Sequence, residues 1–233
     1  MALLQSAKLY GTIPANVRNN FLNRSFWPHY LEEYMKALVV GATGTIGAEV
    51  VKALQGRHEV VSASHSRSPF SVDLENSESI RALYNKIGKI DAVLSIAGNA
   101  AFGYLPTLTD ADFAFSLRNK LMGQINLVRF GLDNVTDGGS FTLTSGILAR
   151  KPMPKGSAIS LVNSGLEGFV RAAALDLPRG LRINVVAPGW VTETLIALKM
   201  DPTSGVSAAK VAKTYIEVLE GNTAGQVVES LAG

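Results

Sequence analysis

The run Gly41-Ala42-Thr43-Gly44-Thr45-Ile46-Gly47 constrains this chain more than any other feature. It follows the apolar residues 37–40 and leads into a helical pattern over residues 49–54, so the backbone must turn sharply from a buried strand into a helix. Glycine is needed where such a turn takes positive φ and where a side chain would block close approach. A bend of this kind at a helix N-terminus leaves backbone N–H groups unpaired at the positive end of the helix dipole, which suits a pyrophosphate. Tight turns also use glycine for purely structural reasons. The ligand-binding reading depends on context, namely a first strand before the turn and a βαβ series after it.

That context is present. Short apolar runs at residues 37–40, 59–63, 92–96, 141–144, 183–187 and 227–229, with a further short strand at Val72, alternate with helical patterns. Ile80, Leu83, Tyr84 and Ile87 recur at helical spacing after the capping candidates Asn76 and Ser77, and Val211, Tyr215, Val218 and Leu219 do so after Ser207. The alternation predicts an α/β fold, a Rossmann-like doubly wound parallel sheet in a single domain. A chain of 233 residues, 47% hydrophobic and 18% charged, is of the right size for one such core.

Residues 1–34 stand apart, with no acidic residue before Glu32 and no periodicity. We read them as an N-terminal extension and residues 35–233 as the nucleotide-binding domain, because Met35 to Gly41 reads like the natural start of such a domain. An organelle transit segment and an arm docking on the domain or on a second subunit are the competing readings.

Composition removes several classes of function. Without cysteine there are no disulfides and no thiolate zinc sites, and three scattered histidines offer no metal-ligand spacing, so no metal is expected. A formal net charge of +3 with dispersed Lys and Arg predicts no nucleic-acid partner. No apolar run reaches membrane-spanning length, and a cytoplasmic protein acting on a small-molecule substrate is expected.

The residues after the second strand bear on the choice of dinucleotide. A carboxylate there bonds the adenosine ribose hydroxyls and repels a 2′-phosphate, whereas a basic residue accommodates the phosphate. This chain has Ser64-His65-Ser66-Arg67 and no acid. NADP(H) is therefore expected over NAD(H), with His65, Ser66 and Arg67 as phosphate contacts; a solvated polar loop is the alternative.

From residue 37 onward the chain resembles the short-chain dehydrogenase/reductase family. The resemblance rests on the glycine turn, Val72-Asp73-Leu74, Ser95-Ile96-Ala97-Gly98, Gly165-Leu166-Glu167-Gly168-Phe169, Ala224-Gly225-Gln226-Val227-Val228 and, most specifically, Arg182-Ile183-Asn184-Val185-Val186-Ala187-Pro188-Gly189-Trp190. It implies cofactor contacts at Gly41, Thr43, Gly44, Thr45, Ile46, Gly47, Asp73, Leu74, Ala97, Gly98, Asn99, Pro188, Gly189, Val191 and Thr192, with Thr194 as the alternative to Thr192. Trp190 is expected to wall the substrate pocket. A homodimer or homotetramer is implied by the resemblance as well.

The family's chemistry uses a Tyr and a Lys one helical turn apart, a Ser upstream of them and an Asn on the preceding long helix. Anchored on residues 165–169, the comparison puts Ile159 at the Tyr position, Asn163 at the Lys position, Gly146 at the Ser position with Ser145 one residue earlier, and Lys120 at the Asn position. Lys120 and Asn163 thus look like a reciprocal exchange that keeps an ammonium in the site, and Ser145 is the expected substrate-orienting hydroxyl. Ser157 or Ser160 could replace the phenol if their helix began late. A surface helix lysine and a turn-satisfying serine are the structural alternatives for Lys120 and Ser145.

Three functions stay open at this stage. The first is an atypical NADP(H)-dependent oxidoreductase acting on a small carbonyl, alcohol or activated alkene, with Lys120, Ser145 and Asn163 as its catalytic set. The others are an inactive NADP(H)-binding sensor or structural protein, and a non-redox isomerase or lyase using the same pocket.

Overall fold

The structure, a computed structural model, describes residues 34–232. The expectations for residues 1–33 lie outside the described residues.

Seven parallel strands form one sheet: β1 (Lys36–Val40), β2 (Glu59–Ser64), β3 (Phe70–Ser71), β4 (Ile90–Ser95), β5 (Val135–Thr144), β6 (Arg182–Pro188) and β7 (Val227–Ser230), in the spatial order β3-β2-β1-β4-β5-β6-β7. The helices are α1 (Thr45–Leu54), α2 (Ser77–Ile87), α3 (Asp110–Ser116), α4 (Gly123–Gly131), α5 (Ser157–Asp176), α6 (Thr192–Ala197) and α7 (Ala208–Glu220). Both faces of the sheet are covered, which explains why the strands read as unbroken apolar runs. Leu38 and Val40 of β1 join a core closed by α2, α4 and α5. Ala37 and Val39 point the other way, into a core closed by α1 and α7.

Capping follows the expected chemistry at two helices. Asn76 accepts from the backbone N–H groups of Glu78 and Ser79 at the start of α2, and Ser207 accepts from Lys210 at the start of α7. The short third strand is displaced from its expected place: it is Phe70–Ser71, and Val72 follows it with its N–H donated to the Ser64 carbonyl.

Strand β5 begins well before residue 141. The segment Asp137-Gly138-Gly139 looks like a turn, yet the strand runs through it with an irregular register against β4. Gly139 permits this, because a Cβ there would lie 2.4 Å from the Asp91 carbonyl oxygen.

Strand order reverses at β1, whose neighbours are β2 on one side and β4 on the other. In open α/β sheets the crevice at the carboxyl ends of the strands beside such a switch point is where ligands bind.

Candidate functional site

A cavity of about 390 Å³ opens at that switch point. Its wall includes Gly44, Thr45 and Ile46 from the glycine turn and α1, residues 96–99 after β4, and Lys120. Residues 144–148, Ile159 and Asn163 of α5, residues 188–191 and Thr194 complete it.

The turn is shaped by contact. Gly41 has φ +89°, and a Cβ on it would lie 2.5 Å from the Ile96 carbonyl oxygen; a Cβ on Gly47 would lie 2.0 Å from the Gly41 oxygen. Helix α1 therefore abuts the end of β1 as no other residue would allow. Gly44 caps α1 without a side-chain hydrogen bond, and the first turn holds no acidic residue. The exposed amides at this end present a cradle that fits an anionic group.

Two expected groups lie beyond the cavity wall. Gly41 and Ala42 donate to the Ala63 carbonyl, which sets the end of β2 beside the turn. His65, Ser66 and Arg67 follow there, exposed, with the Arg67 N–H donated to Ser64 Oγ. Asp73 is half-buried and Leu74 buried, on the loop leading to α2.

Helices α3 and α4 are joined by a π-helical segment, residues 117–122, in which the Gly123 N–H reaches back to Arg118. Such insertions re-aim side chains and recur at functional sites. Lys120 sits inside this segment and is 7% exposed. The reading of it as a surface lysine is thus corrected: the wider helical turn carries it inward. Gly98, at φ +121°, makes room, since a Cβ there would lie 3.0 Å from Lys120 Cα. The adjoining loop is tied to the same helix through the Asn99 N–H, which donates to Asn119 Oδ1 at 2.7 Å. Among the described residues no hydrogen bond or ion pair engages Lys120, and burial pulls its pKa down from 10.5 to about 8.

Asn163 lines the same cavity, 2% exposed, and its Oδ1 has no hydrogen-bond partner among the described residues. Its amide and Gly146 are matched: a Cβ on Gly146 would lie 3.0 Å from Asn163 Nδ2. Ser145 also lines the cavity, but its hydroxyl donates to Glu167 Oε1 at 3.0 Å. Glu167 is itself buried and paired with Arg150 at 2.5 Å, and Arg150 in turn reaches Glu229 at 2.9 Å.

The floor of the site is held by groups the sequence did not single out. The buried Gln124 amide bonds the backbone of Thr144 twice, donating to its carbonyl at 2.9 Å and accepting its N–H at 2.8 Å. Thr144 Oγ1 donates to the Ser95 carbonyl and also contacts the Tyr215 hydroxyl from the opposite face of the sheet. Tyr215 and Tyr84 are fully buried, burial pushes both phenols up, and neither lines the cavity. Neither is placed to stand in for a phenol at residue 159. Helix α5 starts at Ser157, so the late start that would bring Ser157 or Ser160 into play does not occur, and the Ser160 hydroxyl is buried without a partner among the described residues.

Trp190 walls the cavity, with the Phe102 ring edge-on to it at a centroid distance of 6.5 Å. Thr194, not Thr192, lines the cavity; Thr192 instead packs on Gly205, where its Oγ1 would be 2.5 Å from a Cβ. The segment after Trp190 is closed at its base by the Val191–Val206 bridge. Among the described residues no group of His, Asp or Glu could hold a metal ion, and no helix is long and apolar enough to cross a membrane.

A doubly wound parallel sheet with a glycine turn and a cavity at its switch point defines a dinucleotide-binding type of architecture. The chain belongs to the short-chain dehydrogenase/reductase superfamily: the sequence model of the Enoyl-(Acyl carrier protein) reductase family matches residues 40–228. The protein lin1944 from Listeria innocua is 38% identical, with a TM-score of 0.81 over 84% of this chain and 98% of its own. A small-chain dehydrogenase solved in complex with NADPH shares the fold, with a TM-score of 0.76 at 23% identity over 84% of this chain and 96% of its own. Versicolorin reductase 1 of Aspergillus parasiticus is 29% identical over 191 residues, 71% of this chain and 73% of that protein.

Proposed function

We propose that this protein is an NADP(H)-dependent oxidoreductase that reduces a small carbonyl compound, or oxidises the matching alcohol, with a catalytic set different from the family's usual one. The carrying observation is the switch-point cavity, in which the N-terminus of α1, without a side-chain cap, and the buried Lys120, unpaired among the described residues, share one wall. Similarity to proteins named as reductases, and to a small-chain dehydrogenase in complex with NADPH, supports the same reading.

When bound, the dinucleotide supplies or takes up the hydride. Residues 44–47 hold its pyrophosphate on backbone amides, and Arg67 with His65 and Ser66 receives the 2′-phosphate, which no acid at the end of β2 opposes. Lys120 donates a proton to the substrate oxygen as charge develops on it, a contribution of about 10²–10⁴ in rate for general acid catalysis. A pKa of about 8 places that ammonium close to working pH. Asn163 contributes an uncharged amide to the same cavity wall, and Ser145, held by Glu167, fixes the loop that lines it. We assign Gly41, Thr43, Asp73, Leu74, Ala97, Gly98, Asn99, Pro188, Gly189 and Val191 to the dinucleotide, with Thr194 in place of Thr192.

Ile159 in the cavity wall favours a second reading, a protein that binds NADP(H) without turning over. Incubation with 4-deuterated NADPH and a panel of aldehydes and ketones separates the two. Deuterium on the carbinol carbon is the expected result. Binding of NADPH with no deuterated product from any of the panel would transfer the case to the second reading.

A further inference from the structure

Lys120 is the one charged residue among the described residues lining the cavity, and no Asp or Glu is among them. The same wall carries the apolar side chains Ile96, Ile147, Leu148, Ile159 and Trp190, and its other polar groups, among them Asn99, Ser145 and Asn163, are uncharged. A poorly solvated ammonium without a counter-charge is costly, and a ligand of opposite charge in the cavity would offset that cost. Glu167, the carboxylate bonded to Ser145 of the wall, is already engaged by Arg150 as well. The dinucleotide's phosphates are assigned to the α1 amides and the end of β2, so they leave Lys120 without a partner.

We infer that the substrate itself carries a delocalised oxyanion, a carboxylate or an ionised enol, on an apolar body, and that Lys120 Nζ is its counter-ion. This rests on the cavity being the substrate site of the reductase proposed above. The ammonium has three N–H donors. One can bond the oxyanion while another serves the reducible carbonyl, provided that the two oxygens lie on adjacent or next-adjacent carbons, as in a keto acid or an enolised diketone. The apolar wall and the Trp190–Phe102 pair accept the rest of the molecule.

The test uses two probe pairs matched in shape and differing in charge: 2-naphthoate with 2-naphthamide, and ionised 2-hydroxy-1,4-naphthoquinone with its methyl ether. Each is titrated calorimetrically into the full-length protein, alone and with NADP⁺, which cannot reduce them. The expected result is a preference of at least about tenfold for the anion in one pair or both, falling to about twofold or less in Lys120→Met and Lys120→Gln. The pair showing the preference identifies the source, carboxylate or enolate. Equal affinities within both pairs, no binding of any probe, or a preference that survives both substitutions would overturn the inference. NADPH binding and deuterium transfer are read in separate assays, so reduction of uncharged substrates alone would reject the counter-ion and leave the reductase standing.

Discussion

Replacing Lys120 with Met should make the ligand-free protein more stable. Lys120 is 7% exposed and its pKa falls from 10.5 to about 8, with burial as the cause. That fall corresponds to about 3 kcal/mol at about 1.4 kcal/mol per pH unit, the cost of keeping the ammonium charged in the folded state at pH 7. The sign follows from proton binding. Between the folded value near 8 and the unfolded value of 10.5 the unfolded chain holds more protons, so the native protein gains stability as pH rises through that window. Met fills nearly the same space without the charge. For a domain of this size each kcal/mol moves Tm by about 2–4 °C, so Lys120→Met should melt about 6–12 °C above the native protein at pH 7. The gap should shrink by about two-fifths at pH 9 and by about three-quarters at pH 10. Calorimetric melts of both proteins at pH 7, 9 and 10 decide it. A variant melting at or below the native protein at pH 7, or a gap that does not narrow with pH, refutes the account of Lys120 as an unpaired buried ammonium.

The remaining expectations are briefer. Arg67→Ala should weaken NADPH by about tenfold or more and leave NADH nearly unchanged, as loss of one phosphate contact requires; titration with both dinucleotides checks this. Gly98→Ala puts a Cβ 3.0 Å from Lys120 Cα at a φ of +121°, and should lower stability by about 1–3 kcal/mol in denaturant melts. Gln124→Leu removes both bonds to Thr144 and should destabilise by about 2–3 kcal/mol, because the Thr144 N–H and C=O are left buried. The reductase activity should fall as pH rises through about 8, where Lys120 loses its proton, and Lys120→Met should show no such limb.

Much of the fold was legible because its signals are local. Apolar runs, the spacing of Ile80, Leu83, Tyr84 and Ile87, and the caps Asn76 and Ser207 each act within a few residues. The early start of β5 was hidden, since the apolar run begins only at residue 141 and Gly139 joins the strand through its close approach to the Asp91 carbonyl. The site was legible by position more than by direction. Lys120 and Asn163 do line one cavity, but the inward aim of Lys120 comes from a π-helical segment that no regular period announces. Ser145 lies where expected, while its hydroxyl turns to Glu167, 22 residues further along the chain. The choice between Thr192 and Thr194 depends on Gly205, which takes Thr192 out of the cavity wall by packing.

The central claim, a dinucleotide held on the glycine turn with its 2′-phosphate at Arg67, is tested most directly by melting the protein with NADPH, with NADH and with neither. At about a hundredfold excess over Kd, NADPH should add about 2.7 kcal/mol and raise Tm by several degrees, with a smaller rise for NADH at the same concentration. No shift with either dinucleotide would contradict the account.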